Sequence, residues 1–164
     1  MKNYLKLIFL IVALAAVKFA YPAQITADVA QTAGKNFLLS RNIPAVDFQL
    51  AETKTIDGQT LYYIFNTGSK GFVVVSADDQ VLPVLAYSNE SDWTAFSDTL
   101  HGNNVRGWME SYEKQILEVK TNDIPASEDI VSQWQLLLSG QFVRSTTTVV
   151  PQRWHTFSES VTRD

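Results

Sequence analysis

The chain has 164 residues, which favours a single domain, and 46% of them are hydrophobic, enough to build a core. Acidic residues outnumber basic ones by 17 to 13, which argues against nucleic-acid binding because that requires a basic surface. There is no cysteine, which excludes a disulfide framework, a thiolate metal site, a lipoprotein anchor and a cysteine nucleophile.

The first 23 residues have the pattern of a cleavable secretory signal. Lys2 and Lys6 give a charged start, and the apolar run from Leu7 to Val17 is shorter than the about 20 residues of a membrane span. Cleavage after Ala23 would leave 10 basic and 17 acidic residues, a net charge of −7. We expect a secreted or periplasmic protein that has no membrane contact after cleavage and binds no nucleic acid; a retained amphipathic anchor is the alternative.

An N-terminal helix and four consecutive strands are expected next. The helix covers Ile25 to Arg41, where apolar residues recur at helical spacing and Thr26 or Asp28 can cap the start. The strands are Val46 to Glu52, Thr60 to Asn66, Phe72 to Val75, and Val81 to Tyr87. Their connections are short, which favours antiparallel neighbours, and Asp57-Gly58 is a strong hairpin signal.

Two details of the strands lead to specific expectations. In the first strand, Val46, Phe48 and Leu50 alternate with Asp47, Gln49 and Ala51 and should face the core of a half-buried strand. Before the third strand, Gly71 is placed where a turn often requires a positive φ, and Val74 should be buried. Asp78 and Asp79 form a polar connection; as neighbours in an extended chain they point in opposite directions, which disfavours a catalytic pair.

A polar segment from Asn89 to Asn103 follows, with Trp93 and Phe96 as candidates to hold it in place. Such loops often carry function. A helix from Val105 to Lys120 should then begin with Asn103 or Asn104 as its cap, and a shorter helix should run from Ser127 to Gly140. Residues 144–164 are rich in Ser and Thr and are expected to be an extended or disordered tail.

Two blocks of sequence carry a family resemblance. GFVVVSADDQVLPVLAYS, residues 71–88, and WMESYEKQI, residues 108–116, resemble the prosegment of the streptopain family of bacterial cysteine peptidases. They are also similar to stand-alone prosegment-like inhibitors of those enzymes, and the likeness covers roughly Ala23 to Leu138. The Val149–Trp154 stretch echoes the end of that prosegment, but the family's next motif is replaced by His155-Thr156-Phe157-Ser158.

The resemblance implies an inhibitory contact. In this family a prosegment loop reaches the active site, where an Asn displaces the catalytic His. Counting back along the matching helix assigns that role to Asn104, with Asn103, His101 and Trp93 as further protease contacts. A plain helix cap is the competing role for Asn104, and the two roles are compatible.

We therefore expect an α+β fold in which a four-stranded antiparallel sheet packs against two or three helices. The expected divisions are a signal peptide (1–23), an inhibitor domain (24–143) and a tail (144–164). The expected function is inhibition of a streptopain-like cysteine peptidase by a monomer without catalytic activity, metal or cofactor. His101 and His155 have no partner at ligand spacing. The alternatives are a truncated prosegment that acts as a folding chaperone or remnant, and a binding module for another ligand.

Overall fold

The computed structural model describes residues 24–68, 70–94 and 102–141, and within the last range it describes side chains from Arg106 onward. The predicted signal peptide and the predicted tail lie outside these residues. Among the described helices, none is long and apolar enough to cross a membrane.

The architecture is α+β, as the sequence predicted. Three helices and four strands are described, and we number them in chain order. They are α1 (Ala27–Ser40), β1 (Gln49–Ile56), β2 (Gln59–Asn66), β3 (Phe72–Ser76), β4 (Val84–Ser88), α2 (Gly102–Asn122) and α3 (Glu128–Ser139).

The strands form one antiparallel sheet in the order β1-β2-β3-β4. Asp57 (φ 50°) and Gly58 (φ 76°) join β1 to β2, and Ile56 pairs with Gln59 across this turn. Positive φ at both central residues defines the hairpin turn whose twist matches that of the strands, so the Asp-Gly signal is confirmed.

One face of the sheet is covered by α1 and α3. Their buried side chains include Phe37 and Leu38 of α1 and Trp134 and Leu137 of α3. Ser127 caps α3 by accepting a hydrogen bond from Ile130 N, and Gly140 ends it in the left-handed conformation (φ 65°). Local signals thus set both ends of α3, as predicted.

The other face is covered by α2. Met109 and Ile116 of the helix are buried against strand residues that include Ile64, Phe72 and Val74. Val74 is completely buried, as predicted, because β3 lies between two strands and between two layers of helix.

The first strand differs from its prediction. It begins at Gln49, three residues after the predicted start, and most of its residues are exposed. Val46 is 60% exposed and Leu50 49% exposed, so the expected core-facing alternation is wrong for both, whereas Phe48 packs against the core. β1 is an edge strand, and its pairing with β2 shifts register between Leu50 and Glu52. Such a bulge disrupts the alternation that a regular strand would impose.

The positive φ that was expected at Gly71 is wrong. Gly71 is not among the residues with positive φ. A Cβ at this position would instead lie 2.6 Å from Thr67 Cγ2 and 3.2 Å from the Ser88 carbonyl oxygen. Glycine is needed here because other atoms approach its backbone closely.

Candidate functional site

The segment that the sequence singled out begins after β4, and Trp93 attaches it to the sheet. The Trp93 backbone N–H donates to Asn66 Oδ1 (2.8 Å), and its indole Nε1 donates to Glu52 Oε2 (2.7 Å). The indole ring meets the Phe72 ring edge to face at 5.3 Å. Because these contacts occupy the ring and the indole N–H, Trp93 fixes the described start of the segment on the sheet.

The far end of the segment is the start of α2. This helix begins at Gly102, so Asn103 and Asn104 lie inside its first turn. The prediction that one of them caps the helix is therefore wrong, since a cap precedes the first helical residue. Of the four predicted protease contacts, Trp93 is described in full, Asn103 and Asn104 by their helical backbone, and His101 lies outside the described residues.

Both ends of the segment approach the same apolar cluster. Trp93 packs against the cluster on the α2 face, and so does Trp108, which lies one turn after Asn104. The Trp108 ring meets the Tyr112 ring edge to face at 4.5 Å. The first turns of α2 therefore rest on the same side of the sheet as Trp93.

A buried carboxylate fixes the middle of α2. Glu113 Oε1 accepts a hydrogen bond from the Tyr62 hydroxyl (2.8 Å) and lies 3.0 Å from Lys54 Nζ. Tyr62 and Lys54 pair directly across β2 and β1, so their side chains reach the helix together. Burial, and then the hydrogen bond to Glu113, raise the pKa of Tyr62 far above its ordinary value of 10.0.

A second buried carboxylate fixes the end of α2. Asp78, in the β3–β4 connection, is almost fully buried and lies 3.0 Å from Lys120 Nζ. The other oxygen of Asp78 accepts a hydrogen bond from the backbone N–H of Gln80 (2.9 Å). The side-chain Nε2 of Gln80 donates to Asp123 Oδ1 (3.1 Å). Reading the sequence missed this pair, because nothing local links residues that are 42 positions apart.

Two depressions meet at Gly68, beside the same segment, and we call their combined lining the Gly68 surface. One, of about 390 Å³, includes Val46 and Asn89. The other, of about 630 Å³, includes Leu50, Asp92 and Thr94. Residues 89, 92 and 94 belong to the segment predicted to contact a protease, so the Gly68 surface is continuous with it.

No group of three or more His, Cys, Asp or Glu side chains able to hold a metal ion occurs within residues 24–68, 70–94 and 106–141. The charged groups described above serve instead to attach α2 to the sheet.

A family model described as Spi protease inhibitor matches residues 22–116, more than half of the chain. The chain belongs to the Spi protease inhibitor family. The match includes β1 to β4, the segment after β4 and most of α2. It confirms the resemblance in the sequence, and a protease inhibitor is a non-enzyme, in agreement with the prediction.

A curated relative of this family member is the thiol protease/hemagglutinin PrtT of Porphyromonas gingivalis. It is 28% identical over 102 residues, which cover 58% of this chain and 11% of that protein. The chain thus spans about one tenth of the length of this relative. No solved structure matches the chain. The two sequence matches together support a role as a protease inhibitor or as a protease prosegment.

Proposed function

We propose that this protein is a secreted inhibitor of a streptopain-like cysteine peptidase and that it blocks the active site of the enzyme. The observation that carries the proposal is the family match over residues 22–116. The likeness to a thiol protease supports a cysteine peptidase as the target class. Secretion rests on the signal pattern of residues 1–23.

The proposed blocking group is Asn104. A cysteine peptidase needs its Cys and His within hydrogen-bond distance to form the nucleophilic thiolate. An amide that hydrogen-bonds the imidazole can separate that pair, and it offers no bond that the enzyme could cleave. The attachment of α2 through Glu113 and Lys120 supports this role, because it gives Asn104 a rigid helix as its support.

The experiment is an inhibition assay with a mature streptopain-like peptidase from the source organism and a fluorogenic peptide. We expect the parent chain to inhibit reversibly and Asn104→Ser to raise the inhibition constant at least about tenfold, or about 1.4 kcal/mol. Serine is compatible with the first turn of a helix but lacks the amide, so the melting temperature should stay within a few degrees. Equal inhibition by parent and variant would exclude displacement by Asn104.

A prosegment that assists folding is the second candidate, and the match to part of a thiol protease favours it. Its test is refolding of the denatured peptidase with and without this chain. A higher yield of active enzyme, without inhibition of the folded enzyme, would support this candidate over the inhibitor.

A further inference from the structure

We infer that the Gly68 surface is part of the docking site for the peptidase, with the side chains of Val46 and Leu50 as its apolar contacts. This inference rests on the proposed function. It assigns a role to two exposed apolar residues that lie in a segment of the chain distant in sequence from Asn104.

Within residues 89–94, the part of the predicted protease-contacting segment whose side chains are described, Trp93 is the only large apolar residue. A stable protein–protein interface buries roughly 800 Å² per partner and draws on about 20–30 residues a side. Trp93 is the largest side chain among the described residues of this segment, and its ring packs on Phe72. Much of that ring is therefore committed to this chain's own core, so the described part of the segment gains a docking surface mainly from apolar groups of neighbouring elements.

The backbone at Val46 is fixed by hydrogen bonds while its apolar side chain stays exposed, as a docking surface requires. The Val46 carbonyl oxygen accepts a hydrogen bond from Gly68 N (2.7 Å). The buried Thr67 Oγ1 lies 3.1 Å from the same oxygen and 3.0 Å from Pro44 O, so its one proton is shared by the two carbonyls. The backbone is fixed while 60% of Val46 stays exposed. A group fixed before binding loses little entropy when a partner covers it.

Leu50 is exposed for a related reason. It lies beside the bulge in β1, where the pairing shifts between Leu50 and Glu52. Bulges change the direction of side chains and are frequent next to functional sites. Leu50 lines the depression that also contains Asp47 and Asp92, whereas Lys70 lines the depression beside Val46. The partner that fits is therefore a peptidase surface with an apolar patch bordered by charges of both signs.

The test replaces both side chains without changing the net charge. The variant is Val46→Gln/Leu50→Gln, and the matched control is Leu39→Gln/Leu138→Gln. Leu39 (52% exposed) and Leu138 (42% exposed) are on α1 and α3, and neither lines the two depressions of the Gly68 surface. Melting temperatures of all proteins are measured first, and both pairs should stay near the parent because the side chains are exposed.

Inhibition of the mature peptidase is then measured together with binding to its Cys→Ala form. We expect the inhibition constant and the dissociation constant of the Val46/Leu50 variant to rise at least about tenfold. Those of the Leu39/Leu138 variant should change by less than about twofold. If the parent inhibits and the Val46/Leu50 variant inhibits equally well, the docking surface is wrong while the proposed function stands.

Two further outcomes separate the proposals. If the parent binds the inactive peptidase without inhibiting the active one, and the Val46/Leu50 variant loses that binding, the surface is supported and the inhibitory function is overturned. If the parent binds neither form of the peptidase, both proposals are overturned.

Discussion

The two faces of the sheet are covered in different ways. On the α1 and α3 face, the helices are held mainly by buried apolar side chains such as Phe37 and Trp134. On the other face, α2 combines apolar packing with the ion pairs Lys54–Glu113 and Lys120–Asp78. Apolar packing tolerates small shifts of a helix, whereas a hydrogen-bonded ion pair requires particular atoms to meet.

This difference matters because α2 begins with the residues proposed to enter a peptidase active site. Glu113 determines how the helix is rotated about its axis, and Lys120 determines where its far end lies on the sheet. The α1 and α3 face has no comparable task in the proposed mechanism.

The apolar part of the α2 face is tested by Val74→Asp. Val74 is fully buried, and an unpaired carboxylate there should cost several kcal/mol of unfolding free energy. Since a domain of this kind is stable by only about 5–15 kcal/mol, thermal unfolding followed by circular dichroism should show a large loss of stability. A melting temperature within a few degrees of the parent would contradict the burial of Val74.

The ion pair at the end of α2 is tested by Lys120→Met, which keeps most of the side chain and removes its charge. Asp78 would remain buried without its cationic partner, and we expect a loss of about 3 kcal/mol in urea unfolding. Lys54→Met is the matched control. It leaves Glu113, which is more exposed than Asp78 (11% against 3%) and keeps the hydrogen bond from Tyr62, so the loss should be nearer about 1 kcal/mol.

A double variant sharpens this prediction. Asp78→Asn/Lys120→Met removes both charges and keeps an oxygen for the hydrogen bond from Gln80 N. It should recover most of the stability that Lys120→Met loses, because the uncompensated buried charge is gone. If the double variant is less stable than Lys120→Met, the cost does not arise from an unpaired Asp78.

The close approach at Gly71 is tested by Gly71→Ala, which should cost about 1–3 kcal/mol. The new methyl group would lie 2.6 Å from Thr67 Cγ2. Thr67→Ser removes that methyl and keeps the hydroxyl, so the double variant should regain part of the loss. If Thr67→Ser brings no recovery, the contact with the Ser88 carbonyl oxygen, at 3.2 Å, is the main restriction.

The hydrogen bond between Tyr62 and Glu113 is tested by Tyr62→Phe, with an expected loss of about 1.5 kcal/mol near pH 8. Burial raises the pKa of Tyr62 above 10.0, so only the unfolded chain ionises this group as the pH passes about 10. The stability that Tyr62 contributes is therefore present below pH 10 and falls above it. Urea unfolding of the parent and of Tyr62→Phe from pH 8 to 11 should show that the difference between their unfolding free energies becomes smaller as the pH rises.

Features that depend on neighbouring residues could be predicted from the sequence. The Asp57-Gly58 turn and the start of α3 at Ser127 require only residues within three positions, and both are confirmed. The order of the strands was also predictable, since each strand pairs with the next along the chain.

Features that depend on distant contacts could not be predicted. Glu113 meets Tyr62 across 51 positions. The helical spacing puts Glu113 on the same face as Met109 and Ile116, but a carboxylate is buried only with partners, and those partners are distant in the chain. The exposure of Val46 follows from its fixed carbonyl and from a strand that begins only at Gln49. The start of α2 was misplaced because Asn is a preferred cap residue, which favoured a cap at Asn103 or Asn104, whereas the helix already includes Gly102, three residues before the predicted start.

The consecutive order of the strands also affects how the chain folds. Each strand finds its partner within a short stretch of chain, so the sheet can assemble with little loss of loop entropy and without waiting for later residues.

The face of the sheet under α1 is completed only when α3 has been added. The Trp134 indole Nε1 donates a hydrogen bond to Val81 O, and the Asn36 side-chain Nδ2 donates one to Leu137 O, 101 positions away. During synthesis, apolar groups on that face are therefore exposed until residue 137 has been added. A chain shortened before α3 should bind hydrophobic dyes and aggregate, although its four strands are complete.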